Sequence, residues 1–327
     1  MKSTLSILVA ASTLAMLAAC GGGGGSDSPA AKNVVITSAN QTAVTRASLN
    51  GGAAVSLAQG SLSGGGTSGP LAAGTLVRRA IAATANQRKG IASAGVHPAA
   101  VSSSTDACQV SGTMTIAFDD RDGNGQLSNG DVLTATFAQC RDTDTSSIDG
   151  SVTITLTSTP TAANLDASAS FQNVTVVDGA LSSTISGSFS IHETDGTTLT
   201  DVQLTVGSGG LNVGVASSTY NDTVAFESGM IIATSTMGGG SQTSVTLNGS
   251  FTATSIGGRV TVSTQVPLMT AFDAAYPSTG VFKIVGASGS TVLATVLDTT
   301  QVQLQLDANG DGTYESTIDV PWTTLLP

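Results

Sequence analysis

"TMTIAFDDRDGNGQLSNGDVLTATF", residues 113–137, holds two runs of alternating side chains around one acidic connection. Met114, Ile116 and Phe118 lead in, and Leu133, Ala135 and Phe137 lead out, with Thr or Ala between them. A period of two puts each apolar set on one face of a β-strand, so the stretch reads as a hairpin. Two residues suffice to close such a hairpin. Here Asp119, Asp120, Asp122 and Asp131 crowd the connection instead. Like charges at such spacing repel unless a cation sits among them.

The same alternation continues outward. It recurs at Val152/Ile154/Leu156, Ile185/Phe189/Ile191, Val202/Leu204/Val206 and Leu211/Val213/Val215. Val245/Leu247/Phe251, Val260/Val262 and Val302/Leu304/Leu306 follow, with mostly Thr and Ser on the opposite face. "VVDGAL", "ETDGTT", "GSGG", "SIGGR" and "GASGS" supply turn chemistry between the runs. No helical pattern of about a dozen residues separates them, which argues against parallel βαβ units. The pattern predicts an all-β domain over 106–327: an antiparallel meander of about a dozen strands, forming a sandwich or a partly open barrel. Roughly 220 residues are ample for one core.

Composition sharpens this. Charged residues make up only 10% of the chain and aromatics 4%. One Trp and three Tyr cannot furnish the two aromatic girdles of a transmembrane β-barrel. The domain is therefore expected to be soluble.

The chain begins "MKSTLSILVAASTLAMLAAC", with Lys2 ahead of an apolar run and small residues before Cys20. That is the layout of a secretory signal, too short to span a membrane. Leu17-Ala18-Ala19-Cys20 resembles the lipobox of bacterial lipoprotein precursors. The resemblance implies a signal peptide over 1–19, cleavage before Cys20 and acylation of that cysteine, giving a membrane anchor stronger than one chain provides. Gly21 stands where an inner-membrane retention signal would carry Asp, so the same family's sorting rule implies the outer membrane.

From Cys20 to residue 105 the sequence reads as a flexible stalk rich in Gly, Ser and Ala, beginning "GGGGGSDSPAAK". "LVRRAIAATANQRKGIA", 76–92, fits a short helix or disorder equally well. Charge changes sign at the stalk's end. Residues 28–105 carry six basic and no acidic side chains, whereas 106–327 carry 21 acidic and 4 basic, a balance of −17. Six charges so spread are no polybasic cluster, and a solvated linker is the reading preferred to a lipid-binding stalk. The acidic domain excludes a nucleic-acid partner, which requires a basic footprint.

With Cys20 acylated, Cys108 and Cys140 remain as an even pair in an oxidising compartment, so a disulfide is expected between them. They flank the opening hairpin symmetrically. Cys140, however, has the opposite parity to Leu133, Ala135 and Phe137, which calls for a β-bulge or a diagonal pairing.

The acidic connection has a register of its own. Counting Asp120 as position 1 puts Asp122 at 3, Asn124 at 5, Gly125 at 6, Gln126 at 7, Ser128 at 9 and Asp131 at 12. These are the ligand positions of an EF-hand loop, in which alternate residues turn oxygen donors toward one hard cation. Asp at position 12 resembles the calcium loops of dockerins, though strands flank this loop. A second copy, "LDANGDGTYES", places Asp307, Asn309, Asp311, Gly312, Thr313 and Glu315 at positions 1, 3, 5, 6, 7 and 9. It is similar to the DxNGDGxxD loops of integrin-type propeller repeats, with Glu for the final Asp. Both resemblances imply Ca²⁺, bound weakly as in extracellular modules, with Kd of about 10⁻⁴–10⁻³ M.

Catalytic signals are sparse. His97 lies in the stalk; His192 with Glu193 and Asp195 reads better as an exposed hairpin end than as an acid–base or metal group. Nucleophile-elbow, zincin and P-loop motifs do not occur. Lipobox, β-rich domain, paired cysteines and the ending "DANGDGTYESTIDVPWTTL" together resemble outer-membrane lipoproteins of Gram-negative bacteria. The expected role is a non-enzymatic, calcium-stabilised envelope or surface protein, anchored by Cys20, whose partner is an envelope protein, glycan or lipid. A carrier of an apolar ligand ranks second, and a glycan-active enzyme using paired carboxylates third.

Overall fold

Among the described residues the alternating runs become fifteen strands of one antiparallel sheet. The computed structural model describes residues 32–56, Ala80, 101–161, 163–218, 220–237 and 241–326. The expected signal peptide over 1–19 and Cys20 lie outside the described residues. The strands are β1 (Val101–Ala107), β2 (Ser111–Asp119), β3 (Val132–Arg141), β4 (Ser146–Leu156) and β5 (Asn164–Asp178). Next come β6 (Leu181–Asp195), β7 (Leu199–Ala216), β8 (Asn221–Phe226), β9 (Ile231–Met237) and β10 (Gln242–Ala253). Last are β11 (Gly258–Ala271), β12 (Thr279–Val285), β13 (Thr291–Val296), β14 (Gln301–Asp307) and β15 (Ser316–Pro321).

Each strand pairs with its sequence neighbour, except that β8 and β9 share one place. The first half of β7 pairs with β9 and the second half with β8, and β10 does the same on the other side. The two are one strand interrupted at Glu227–Met230. The predicted all-β meander is therefore present, with a few more strands than the pattern suggested and in a single sheet. Among the described strand pairs β1 and β15 do not meet, so the sheet is open. One face of strand after strand is buried in one contiguous cluster; a single sheet manages this by rolling that face inward. The other face carries hydroxyls, as in the row Thr134–Thr153–Ser170–Ser188 across β3 to β6.

A line of bulges lets the sheet roll. Register shifts fall at Phe137/Cys140, Asp149/Ser151, Phe171/Val174, Gly187/Phe189 and Val245/Asn248, each close to the shift on its neighbour. Gln139 and Asn173 sit in the left-handed region at φ 48° and are the extra residues of β3 and β5. Opposite them the neighbouring strand has no room. A Cβ on Gly150 would lie 2.7 Å from Asn173 O, and one on Gly112 would lie closer still to Gln139 O. A bulge bends its strand and raises the local twist, and bulges stacked across neighbours crease the whole sheet. They also reverse parity. Buried residues run Ala167, Ala169, Phe171 and then Val174, Val176 along β5. In β3 the same slip returns Cys140 to the buried face after Phe137, and Cys140 bonds Cys108 at a Cα–Cα distance of 5.5 Å. The expected disulfide and the bulge its parity demanded are both there.

The expected flexible stalk over 20–105 is corrected at its described residues, 32–56, Ala80 and 101–105, and the expected domain boundary at 106 falls inside a strand. Residues 31–327 form one compact unit, and β1 already begins at Val101. Residues 32–36 are clamped between β11 and the 3₁₀ turn Ala287–Gly289. Val34 N donates to Arg259 O (3.0 Å), Arg259 N to Lys32 O (3.0 Å) and Ala287 N to Val34 O (2.6 Å). Ile36 N donates to Ser290 Oγ (2.9 Å), and the Ile36 side chain is fully buried. Helix α1 (Gln41–Ser56) follows, with Asn40 Oδ1 accepting from Thr37 N just before it. Val44, Thr45, Ala47, Ser48 and Leu49 are all buried against β7 to β10, β13 and β14. Thr45 and Ser48 tolerate this because their hydroxyls donate to the carbonyls of Gln41 and Val44. Asn50 Nδ2 donates to Leu325 O of the C-terminal turn α2 (Trp322–Leu325). Arg46 stacks over the Tyr220 ring, 5.1 Å from its centroid. Of the segment 76–92, only Ala80 lies within the described residues; it is helical and fully buried. No helix among the described residues is long and apolar enough to cross a membrane.

Candidate metal centres

Loop 1, the β2–β3 connection, and loop 2, the β14–β15 connection, lie at opposite ends of the sheet and share one internal wiring. The N–H at position 6 donates to the carboxylate at position 1: Gly125 to Asp120 (2.8 Å) and Gly312 to Asp307 (2.9 Å). The N–H at position 5 donates to the side chain at position 3: Asn124 to Asp122 (3.0 Å) and Asp311 to Asn309 (2.8 Å). The N–H at position 7 donates to position 5: Gln126 to Asn124 (2.6 Å) and Thr313 to Asp311 (2.8 Å). Finally the N–H at position 2 donates to the closing acid, Arg121 to Asp131 Oδ1 (3.0 Å) and Ala308 to Glu315 Oε2 (2.8 Å). The closing acid stands at position 12 in loop 1 and at position 9 in loop 2, yet it does the same thing in both.

This wiring brings the carboxylates together. Asp120, Asp122 and Asp131 offer oxygens within 4.8 Å of one another, and so do Asp307, Asp311 and Glu315. Asp120, Asp131 and Asp307 are buried, whereas Asp122, Asp311 and Glu315 face solvent. The Ser128 hydroxyl lies 2.8 Å from Asp122 Oδ2 and 3.0 Å from Asp131 Oδ2, bridging two of them. The Asn124 N–H and then the Ser128 hydroxyl hold Asp122 below the usual carboxylate range. The Thr313 N–H and the Asn309 amide do the same for Asp311. Both are charged near neutral pH. Each trio is an all-oxygen donor set that fits a hard cation, because a carboxylate oxygen that accepts one hydrogen bond keeps a second lone pair. The side chains of Gln126 and Thr313 are exposed, as suits position 7, where the ligand is the backbone carbonyl.

Other sequence-marked residues are placed differently. His192 Nδ1 pairs with Asp166 Oδ1 on the neighbouring strand, and Ser158 Oγ donates to Asp166 Oδ2 (2.9 Å). Asp195 accepts from Thr200 Oγ1 (2.6 Å). The serine thus meets the aspartate rather than the imidazole, which is not the order of a nucleophilic triad.

A buried carboxylate escaped the sequence reading. Asp222 accepts from Tyr220 Oη (3.0 Å), Thr223 N (2.9 Å), Thr254 Oγ1 (2.6 Å), Ser255 N (2.9 Å) and Ser255 Oγ (2.5 Å). Burial works against its charge, but these donors, led by the Ser255 hydroxyl, hold it below the usual range. Burial and the Asp222 charge push the Tyr220 phenol up. No local spacing marks this knot, because Thr254 and Ser255 come from another hairpin.

Comparison with family models, with curated proteins and with solved structures finds no match to this chain.

Proposed function

We propose that this protein is an outer-membrane lipoprotein whose β-domain is stabilised by calcium at two loops, with a binding or structural role and no catalysis. The observation that carries the proposal is the wiring repeated in loops 1 and 2, which converges three carboxylates each time. Backbone N–H groups already fix the donors in place, so an ion entering would find them oriented. Ca²⁺ suits all-oxygen sites of irregular shape better than Mg²⁺, which demands near-octahedral geometry. The anchor rests on the resemblance of Leu17–Cys20 to a lipobox. The outward hydroxyl face suits a domain in water, since a transmembrane barrel turns apolar residues to the lipid. Val44, Ala47 and Leu49 of α1 lie on the inner face where a carried apolar ligand would have to go. That favours the first role over carriage.

Calorimetric titration of Ca²⁺ into the EDTA-stripped domain should show two sites. Asp122→Ala should remove one and Asp311→Ala the other. No heat or uptake at about 5 mM, well above the expected Kd, would defeat the calcium reading. Palmitate incorporation that persists in Cys20→Ser would defeat the anchor.

A further inference from the structure

We infer that this protein pairs with a second copy of itself through β1, edge to edge and antiparallel, with Ser104 on the two-fold axis. The inference goes beyond the calcium and anchor readings and needs neither. β1 and β15 are the two rims of the open sheet, and among the described residues each has a neighbouring strand on one side only. Such a rim presents a row of unused N–H and C=O groups, a template for another strand.

The two rims differ in chemistry. Ser102, Ser104 and Asp106 stand opposite Phe118, Ile116 and Met114 of β2. Directly opposed residues share a face, and those three β2 side chains are buried, so β1 turns a polar row toward the rolled-in face. β15 turns Ile318 and Val320 the same way, opposite the buried Leu304 and Val302. Closing the sheet on itself would set two serines and an aspartate against an apolar row. Pairing β1 with the β15 of another copy has the same fault. β15 also ends in Pro321, which has no N–H to give. β1 contains no proline or lysine, and its register with β2 has no bulge. Its inward charge, Asp106, deters an apolar strand but not one that offers a hydroxyl.

β1 matches itself. Ser104 is the midpoint of Val101–Ala107, so an antiparallel pair that uses the whole strand sets Ser104 opposite the second copy's Ser104. The same register sets Ser102 opposite Asp106 and Ser103 opposite Thr105, each twice. The Ser104 hydroxyl is buried and makes no hydrogen bond within the chain, a state that costs free energy. On the axis it meets its own counterpart, and a hydroxyl both donates and accepts. Asp106 accepts from the Ser102 hydroxyl of the other copy. On the outer face, Ser103 and Thr105 extend a hydroxyl contact already present between Thr105 Oγ1 and Thr115 Oγ1 (2.8 Å). A ladder of 7 residues is small for a stable interface, so the dimer dissociates on dilution.

Cysteine cross-linking of the full chain tests this. Opposed residues of an antiparallel pair lie about 4.5–5.5 Å apart at Cα, within disulfide range. Mild oxidation of Ser104→Cys should therefore raise disulfide-linked dimer about fivefold over wild type on a non-reducing gel. Ser103→Cys mixed with Thr105→Cys should cross-link better than either alone. Both positions are exposed. Adding Ser103→Lys and Thr105→Lys to Ser104→Cys opposes like charges across the axis and should abolish its cross-link at unchanged Tm. Mixing that chain with one carrying Ser103→Asp, Thr105→Asp and Ser104→Cys should restore it. Sedimentation of the wild type should show monomer and dimer exchanging with concentration. A Ser104→Cys cross-link no stronger than wild type, or one indifferent to the lysines, overturns the inference. An intrachain disulfide in Thr105→Cys/Thr317→Cys overturns it as well, because β15 would then already occupy the edge.

Discussion

Replacing Gly286 by alanine should expel the N-terminal segment from the sheet. Gly286 has φ −106°, a value open to any residue, so backbone strain plays no part. The added Cβ would lie 2.8 Å from Ile36 Cγ1 and 2.9 Å from Ser290 Oγ, and closer still to Val34 O. Real Cβ atoms do not approach backbone oxygen so closely, and either the turn or the segment must yield. When the segment yields, the fully buried Ile36 returns to water at a cost of about 1.5–3 kcal/mol. The bonds Ala287 N to Val34 O and Ile36 N to Ser290 Oγ are lost at about 1 kcal/mol each. The sum is about 4 kcal/mol. Unfolding entropy of about 2.1 cal/mol/K per residue over the unit 31–327 gives about 0.6 kcal/mol/K, so Tm should fall by about 6–7 °C. Calorimetry measures that directly. Limited trypsinolysis locates it: Arg46, packed on Tyr220 in the native helix, should become a cleavage site, while cleavage at the distant Arg121 should not change. A Tm within about 1 °C of wild type, with Arg46 still protected, would refute the clamp.

Calcium at ten times Kd should stabilise each loop by RT ln 11, about 1.4 kcal/mol. The melting temperature should therefore rise by about 5 °C for both loops together; identical melts in EDTA and in calcium would leave them ordinary acidic turns. Asp222→Ala strips the acceptor from five donors and should cost about 3–4 kcal/mol by urea denaturation. Because Asp222 is held below its ordinary range, its contribution is full above about pH 4 and is lost as pH falls through the depressed native value. Asp222→Asn should accordingly flatten the acid limb of the stability–pH curve. Reduction of Cys108–Cys140, which closes a separation of 32 residues, should lower stability by about 3–4 kcal/mol in the same assay.

Much of this molecule is written locally. Period-two alternation is a nearest-neighbour property, so the strands, their outward Thr/Ser face and the antiparallel meander are legible one run at a time. The donor positions of both loops are legible for the same reason, since each set falls within twelve residues. Even the bulge in β3 left a trace, in the parity of Cys140.

What the sequence conceals is whatever depends on strands meeting. Gln139 and Asn173 take left-handed geometry without being glycine, because the register on both sides forces an extra residue there. Their alignment into a crease exists only once β2 to β7 are paired. Helix α1 is hidden for a different reason. Its buried residues do share one face, with Gln41, Val44, Thr45 and Ser48 at i, i+3, i+4 and i+7, but three of those four are polar, so no apolar stripe of period 3.6 shows and its hydroxyls and small side chains look like linker composition. The equivalence of Asp131 and Glu315 is likewise tertiary, since two different spacings deliver a carboxylate to the same position-2 N–H. Local pattern determines which residues can form strands and donor loops; which face rolls inward, where the sheet bends and what fills it are decided by contacts between residues far apart in the chain.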